Sequence, residues 1–205
     1  GREAVPELLL DAARKSIQSV DLSAGQAFLT EDFGLLTRVA RYHNVYGPHG
    51  TWDGGREKAP AAICRKVIQA KNSGKLDIEI WGDGNQTRSF MYIDDCIKGT
   101  QMLTASDFVE PINIGSSELV SINQLVDLVE SIAGIRLKRH YKLDAPKGVN
   151  GRNSDNTFIK EVLDWEPSTT LRAGMEKTYN WIKSQYDDRK AGKRVVTEAP
   201  VALPG

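Results

Sequence analysis

Apolar side chains recur every three or four residues in five stretches of the chain, and shorter apolar runs lie between them. After Ala59, the positions Ile63, Val67 and Ile68 fall near one helical face, with Pro60 suited to the first turn and Gly74 to the stop. Asp94-Asp95 opens a second helix, two acids at the positive end of its dipole, with Cys96, Ile97, Thr100 and Leu103 facing inward. Ser121 and Gln124 make a capping box before the stripe Leu125, Val126, Val129 and Ile132, which Gly134 ends. Ser154 is placed to cap a helix carrying Phe158, Ile159, Val162 and Leu163, stopped by Pro167. A last helix sets Leu171, Met175, Thr178 and Ile182 on one face. Residues 35–42, 78–81, 88–93 and 111–115 read as strands. Two further helices are expected within 7–15 and 23–29, and an irregular tail from Ala191. Strands alternating with helices predict an α/β fold.

Composition narrows the classes of function. A chain of 205 residues can bury a real core, and its 27 basic and 27 acidic side chains cancel. That balance argues against a nucleic-acid or membrane-surface partner. No apolar run approaches the ~20 residues of a membrane span. The first thirty residues lack a basic stretch followed by an apolar one, so a soluble, cytoplasmic protein is expected. Cys64 and Cys96 fall on helix faces and read as buried thiols in a reducing compartment. Three scattered histidines and no cysteine pair at ligand spacing predict no metal site.

Chemistry concentrates in Gly50-Thr51-Trp52-Asp53-Gly54-Gly55-Arg56-Glu57-Lys58-Ala59-Pro60. A glycine loop there delivers Glu57 and Lys58 to the mouth of a helix, a rigid base for a reactive or anion-binding group. The bland alternative is a solvated loop with a surface lysine. A dinucleotide fingerprint is not found: Gly47 and Gly50 would need glycine at Asp53, and Gly82 and Gly84 would need it at Thr87. Tyr179/Lys183 and Tyr186/Lys190 have the four-residue spacing of short-chain dehydrogenases, but read as an amphipathic surface helix.

Several longer motifs carry a resemblance. Arg41-Tyr42-His43-Asn44-Val45-Tyr46-Gly47-Pro48 resembles a strand-end motif of the extended short-chain dehydrogenases that act on nucleotide sugars. Trp81-Gly82-Asp83-Gly84, Gln86-Thr87-Arg88-Ser89-Phe90, Ile93-Asp94-Asp95 and Asn113-Ile114-Gly115 continue it. The glycine loop and Gly151-Arg152-Asn153-Ser154-Asp155-Asn156 are most similar to that family's GDP-mannose 3,5-epimerases, from about residue 31 to about 200.

The resemblance implies the C-terminal part of an extended short-chain dehydrogenase, the end of a Rossmann-like sheet plus a smaller α/β substrate domain, with the N-terminal nucleotide-binding half missing. By position this means a remnant of the Rossmann-like domain over 1–48, a sugar-nucleotide substrate domain over 49–190 and a tail over 191–205. It implies NAD as cofactor, oxidising C4 of the hexose transiently so that the protons on C3 and C5 become acidic. Lys58 matches the family's acid/base lysine. Asn44, Glu57, Ala59, Lys66, Gln86, Thr87, Arg88 and Arg152 match positions that hold the sugar nucleotide. Cations suit a GDP diphosphate, since arginine forks bind its oxygens bidentately. An ordinary lysine, pKa ~10.4, is a poor base at neutral pH, so the role calls for desolvation of Lys58 or the charge of Arg56 beside it. A homodimer, or pairing with a full-length homologue, is implied as well. Two alternatives stay open: a non-catalytic remnant that binds nucleotide sugar or dimerises, and a sister nucleotide-sugar epimerase or dehydratase.

Overall fold

Some strand and helix boundaries follow directly from local chemistry, and others come from pairing across the chain. The structure is a computed structural model that describes residues 32–34, 36–145 and 151–195. The helices expected within 1–31 and the tail beyond 195 lie outside the described residues. In chain order the elements are β1 (Ala40–Tyr42), β2 (Val45–Tyr46), α1 (Ala59–Ser73), β3 (Asp77–Trp81), β4 (Thr87–Ser89), β5 (Met91–Tyr92) and α2 (Ile93–Ala105). β6 (Ile112–Ile114), β7 (Leu119–Ser121), α3 (Ile122–Ala133), β8 (Lys138–Lys142), β9 (Gly151–Arg152), α4 (Thr157–Leu163) and α5 (Leu171–Lys190) follow. Pairing is mostly parallel: β1 with β6, β2 with β5, β3 with β8 and β4 with β9, while β4 and β7 run antiparallel. Parallel pairing with helical crossovers makes this an α/β fold.

Two apolar clusters hold the elements. In the larger, α1, α3 and α5 pack on one another through Val67, Ile68, Val126, Val129, Met175 and Ile182, and Ile78 and Ile80 of β3 close it. The smaller joins Met91, Cys96, Ile112, Ile114, Ile159 and Trp165 between the β1–β6 pair, α2 and α4. Ile93 touches both. Cys64 and Cys96 are free, buried thiols, as expected of core residues.

The strongest local signals are realised. Gly74 and Gly134 end α1 and α3 in the left-handed region, where a side chain would be strained. The Ser121–Gln124 capping box is complete in both directions. Leu171, Met175, Thr178 and Ile182 are all buried on α5.

Four expectations are corrected. The strand at 35–42 is confined to β1, because Arg38 anchors the preceding segment by hydrogen bonds to the Ser106 carbonyl and Leu36 is exposed. On α2 the inward positions are Asp95, Cys96, Gly99 and Leu103, while Ile97 faces solvent; Asp95 accepts from the Thr169 N–H at 2.9 Å and so ties α2 to the start of α5. Ser154 does not cap α4: Asn156 holds that place, the Asp155 carboxylate accepts the Thr157 N–H, and Phe158 is exposed. The polar stretch before Ser154, expected as loop, holds strands at 138–142 and 151–152, and 119–121 is a further strand that the apolar pattern does not mark. β8 has no apolar alternation to reveal it. Its Arg139 instead answers Asp127 and the buried Glu130, and its Tyr141 donates to Asn123.

The start of α5 is tightly specified. Glu118 accepts the Leu171 N–H, Tyr46 donates to the Leu171 carbonyl, and Gly174 leaves the space that Tyr46 fills. A β-carbon at Gly174 would lie 2.2 Å from the Tyr46 hydroxyl and 2.8 Å from the Tyr92 ring. Gly174→Ala is therefore expected to destabilise the chain by ~1–3 kcal/mol despite alanine's better helix propensity, as read by urea unfolding.

Candidate functional site

The segment before α1 is held from beneath by Trp52, which is fully buried in the larger cluster. Behind it, Gly54 and Gly55 take positive φ and turn the chain toward the helix. Their N–H groups are engaged inside the loop. Gly54 donates to Asp53 at 3.0 Å and Gly55 to Glu57 at 2.7 Å. Arg65, two turns into α1, forms ion pairs with Glu57 at 2.7 Å and Asp53 at 3.4 Å. Arg189 of α5 donates to Asp53 at 2.6 Å and lies over the Trp52 ring. Burial pushes the Glu57 carboxyl up. Its own N–H, Arg65 and Gly55 outweigh that and hold it below the ordinary value. The same balance, with burial opposed chiefly by Arg189 and Gly54, lowers Asp53.

Lys58 is the N-cap of α1, its carbonyl accepting the Ala62 N–H at 3.0 Å, so its backbone is fixed while its side chain reaches solvent. The expected burial of that amine is not supplied by the described residues. Arg56 is exposed as well. Beside Lys58 opens a cavity of about 430 Å³. Of the sequence-predicted positions, Glu57, Ala59, Lys66 and Gln86 line it together. The Lys66 ammonium donates to the Glu79 carbonyl at 2.9 Å, and its burial lowers its pKa against the opposing pull of Glu79. Gln86 donates to the Trp81 carbonyl at 3.0 Å, while its side-chain oxygen is buried with no hydrogen-bond partner. That oxygen can accept an N–H from a ligand.

The other predicted residues fall outside this cavity. Asn44 adopts a positive φ between β1 and β2 and donates to the Ser89 carbonyl at 3.0 Å. Thr87 and Arg88 are on β4, and Arg88 stands opposite Arg152 of β9 in register. The Arg88 guanidinium turns back to the Thr87 carbonyl. Sequence reasoning missed Asp53, Arg65, Trp81 and Arg189. Arg65 follows Glu57 by eight residues, about two helical turns, which is a readable signal. Nothing local links Asp53 to Arg189.

Among the described residues no group of three or more His, Cys, Asp or Glu could hold a metal ion, and no helix is long and apolar enough to cross a membrane. The glycine loop does not fit a dinucleotide diphosphate, because its N–H groups already serve two carboxylates.

The parallel α/β pairing and the motifs that line this cavity define a class. Residues 26–115 match the NAD dependent epimerase/dehydratase family. More particularly, the chain is 50% identical over 184 residues to GDP-mannose 3,5-epimerase 1 of Oryza sativa subsp. indica, a match covering 85% of this chain and 47% of that protein. It is 49% identical over 183 residues to GDP-mannose 3,5-epimerase of Arabidopsis thaliana, covering 84% and 47%. The UDP-glucose 4-epimerase of Thermotoga maritima, solved with UDP-glucose, superposes with a TM-score of 0.70 at 28% identity, over 78% of this chain and 50% of that one. The chain thus spans about half the length of the curated relatives it matches.

The lowered carboxyl of Glu57 makes its pairing pH-dependent, with a fixed sign. A carboxyl depressed by folding contributes stability above its unfolded value, near 4.5, and loses it as the pH falls through the lower folded value. Glu57→Gln is expected to be less stable than wild type at pH 7, with the difference closing below the ordinary carboxylate range. Urea titrations of both proteins at several pH values measure it.

Proposed function

We propose that this chain is the substrate-binding half of a GDP-mannose 3,5-epimerase, acting on GDP-mannose to give GDP-L-galactose, with residues 49–190 as the sugar-nucleotide portion. The observation that carries this reading is the cavity shared by Glu57, Ala59, Lys66 and Gln86 at the N-terminus of α1, directly beside Lys58. The half-length identity to two plant GDP-mannose 3,5-epimerases agrees with it.

In this reading the free side-chain oxygen of Gln86 accepts a base N–H, and the Lys66 ammonium faces the negative ligand. Arg88 and Arg152, opposed on neighbouring strands, supply further cations for the diphosphate. Arg65 does not, since Glu57 and Asp53 already occupy its guanidinium. Asn44 orients the sugar from the end of β1. The Lys58 amine moves a proton at C3 or C5, and closure of the site against a nucleotide-binding half provides the desolvation that its exposed position lacks. NAD bound to a nucleotide-binding half would accept the C4 hydride, so that the resulting ketone acidifies those protons, and would return the hydride after the proton transfers. Pairing with a full-length homologue would bring that half, and a homodimer is the other assembly open to this chain. The two buried free thiols suit a reducing, cytoplasmic setting.

Calorimetry with GDP-mannose and NMR of GDP-mannose in heavy water with NAD test the proposal. Binding by this chain is expected, with deuterium at C3 or C5 once a full-length homologue supplies the nucleotide-binding half. Lys58→Met should retain binding and lose deuterium incorporation by about 100-fold or more. No heat with any guanosine or uridine diphospho-sugar overturns the reading.

A further inference from the structure

We infer that Arg189, near the end of α5, is a positioning residue that sets the segment carrying Glu57 and Lys58. The inference rests on the reading of Lys58 as the reactive amine. Arg189 is separated from that segment by most of the chain, yet its guanidinium donates to Asp53 at 2.6 Å and lies 4.5 Å from the centre of the buried Trp52 ring. Asp53 passes the contact to Arg65 at 3.4 Å, and Arg65 to Glu57 at 2.7 Å. Glu57 closes the chain on the Gly55 N–H at 2.7 Å. Charges alternate along this strap, so each ion has an opposite neighbour.

The strap crosses elements rather than following one. α5 contributes Arg189, α1 contributes Arg65, and the loop between β2 and α1 contributes both carboxylates. The Arg65 side chain is 17% exposed and that of Glu57 7%, which shields their pair from water and salt. Glu57 precedes the N-cap of α1 and lines the cavity. Loosening Arg189 therefore frees the two glycines on which the approach of Lys58 depends. The guanidinium does this by two contacts at once, one N–H donated to Asp53 and its carbon over the Trp52 ring, and a lysine ammonium reproduces only the first in part.

Solvent exchange of individual amides, followed by NMR in the full 205-residue chain, tests this in wild type, Arg189→Met and Arg189→Lys. Arg189→Met is expected to speed exchange at Gly54 and Gly55 about tenfold, leave the α3 amides unchanged and weaken GDP-mannose binding, with Arg189→Lys restoring part of each. Unchanged glycine exchange overturns the inference. So does equal acceleration through α1, α3 and α5, which marks Arg189 as a general stabiliser. Faster glycine exchange with unaltered GDP-mannose affinity overturns it too, leaving a strap with no influence on the ligand. If wild type itself binds no GDP-sugar, the substrate reading falls separately, and the glycine exchange still decides whether Arg189 holds the loop.

Discussion

Helix α1 is clamped between α3 and α5, and the direction of everything at its N-terminus depends on that clamp. Its inner face buries Ile63, Cys64, Val67 and Ile68, each apolar side chain contributing ~1.5–3 kcal/mol. The helix cannot rotate without exposing them. The N-cap at Lys58 and the wall formed by Ala59, Ala62 and Lys66 are fixed by the same contacts. β3 then sets the opposite wall, since the alternation that buries Ile78 and Ile80 leaves Glu79 and Trp81 at its rim. The cavity is a product of core packing more than of any contact within it.

Much of this was legible in order of residues. Where an element answers to its own neighbours in sequence, as with the Ser121–Gln124 box, the glycine stops and the α5 stripe, periodicity and caps locate it. Where an element exists because of a distant partner, they do not. β8 reads as a run of charge until β3 pairs with it and Asp127 and Glu130 neutralise Arg139. Ser154 looks like a helix cap, yet its hydroxyl is buried near Gly115 without a hydrogen-bond partner. Of the candidate site, Glu57, Ala59 and Lys66 lie at the start of α1 and along it, where helical spacing makes them neighbours, while Gln86 reaches the same cavity from the turn between β3 and β4. Asn44, Thr87, Arg88 and Arg152 are distributed over strands, and strand register cannot be counted from sequence alone.

A chain with no net charge still organises its ions closely. Glu130 is almost fully buried, and it accepts from the Leu137 N–H while facing Arg136 and Arg139. Taking away its cationic neighbours would leave an uncompensated buried carboxylate, a loss of ~3–5 kcal/mol in comparable settings. The α1 loop shows the same economy: its carboxylates accept from glycine N–H groups and from arginines together. The buried side-chain oxygen of Gln86 has no hydrogen-bond partner, and this residue lines the cavity beside α1.

The parallel pairing has a kinetic consequence. Ala40 meets Ile112, Val45 meets Met91, Asp77 meets Lys138 and Thr87 meets Gly151, so no parallel pair can close before a long intervening segment has been drawn in. Loop-closure entropy is spent before those contacts return anything. The helices can form early and locally, but native order arrives only when distant strands register. Until then, strand edges and apolar faces stand open to other chains, and slow assembly at high concentration is the hazard built into this topology.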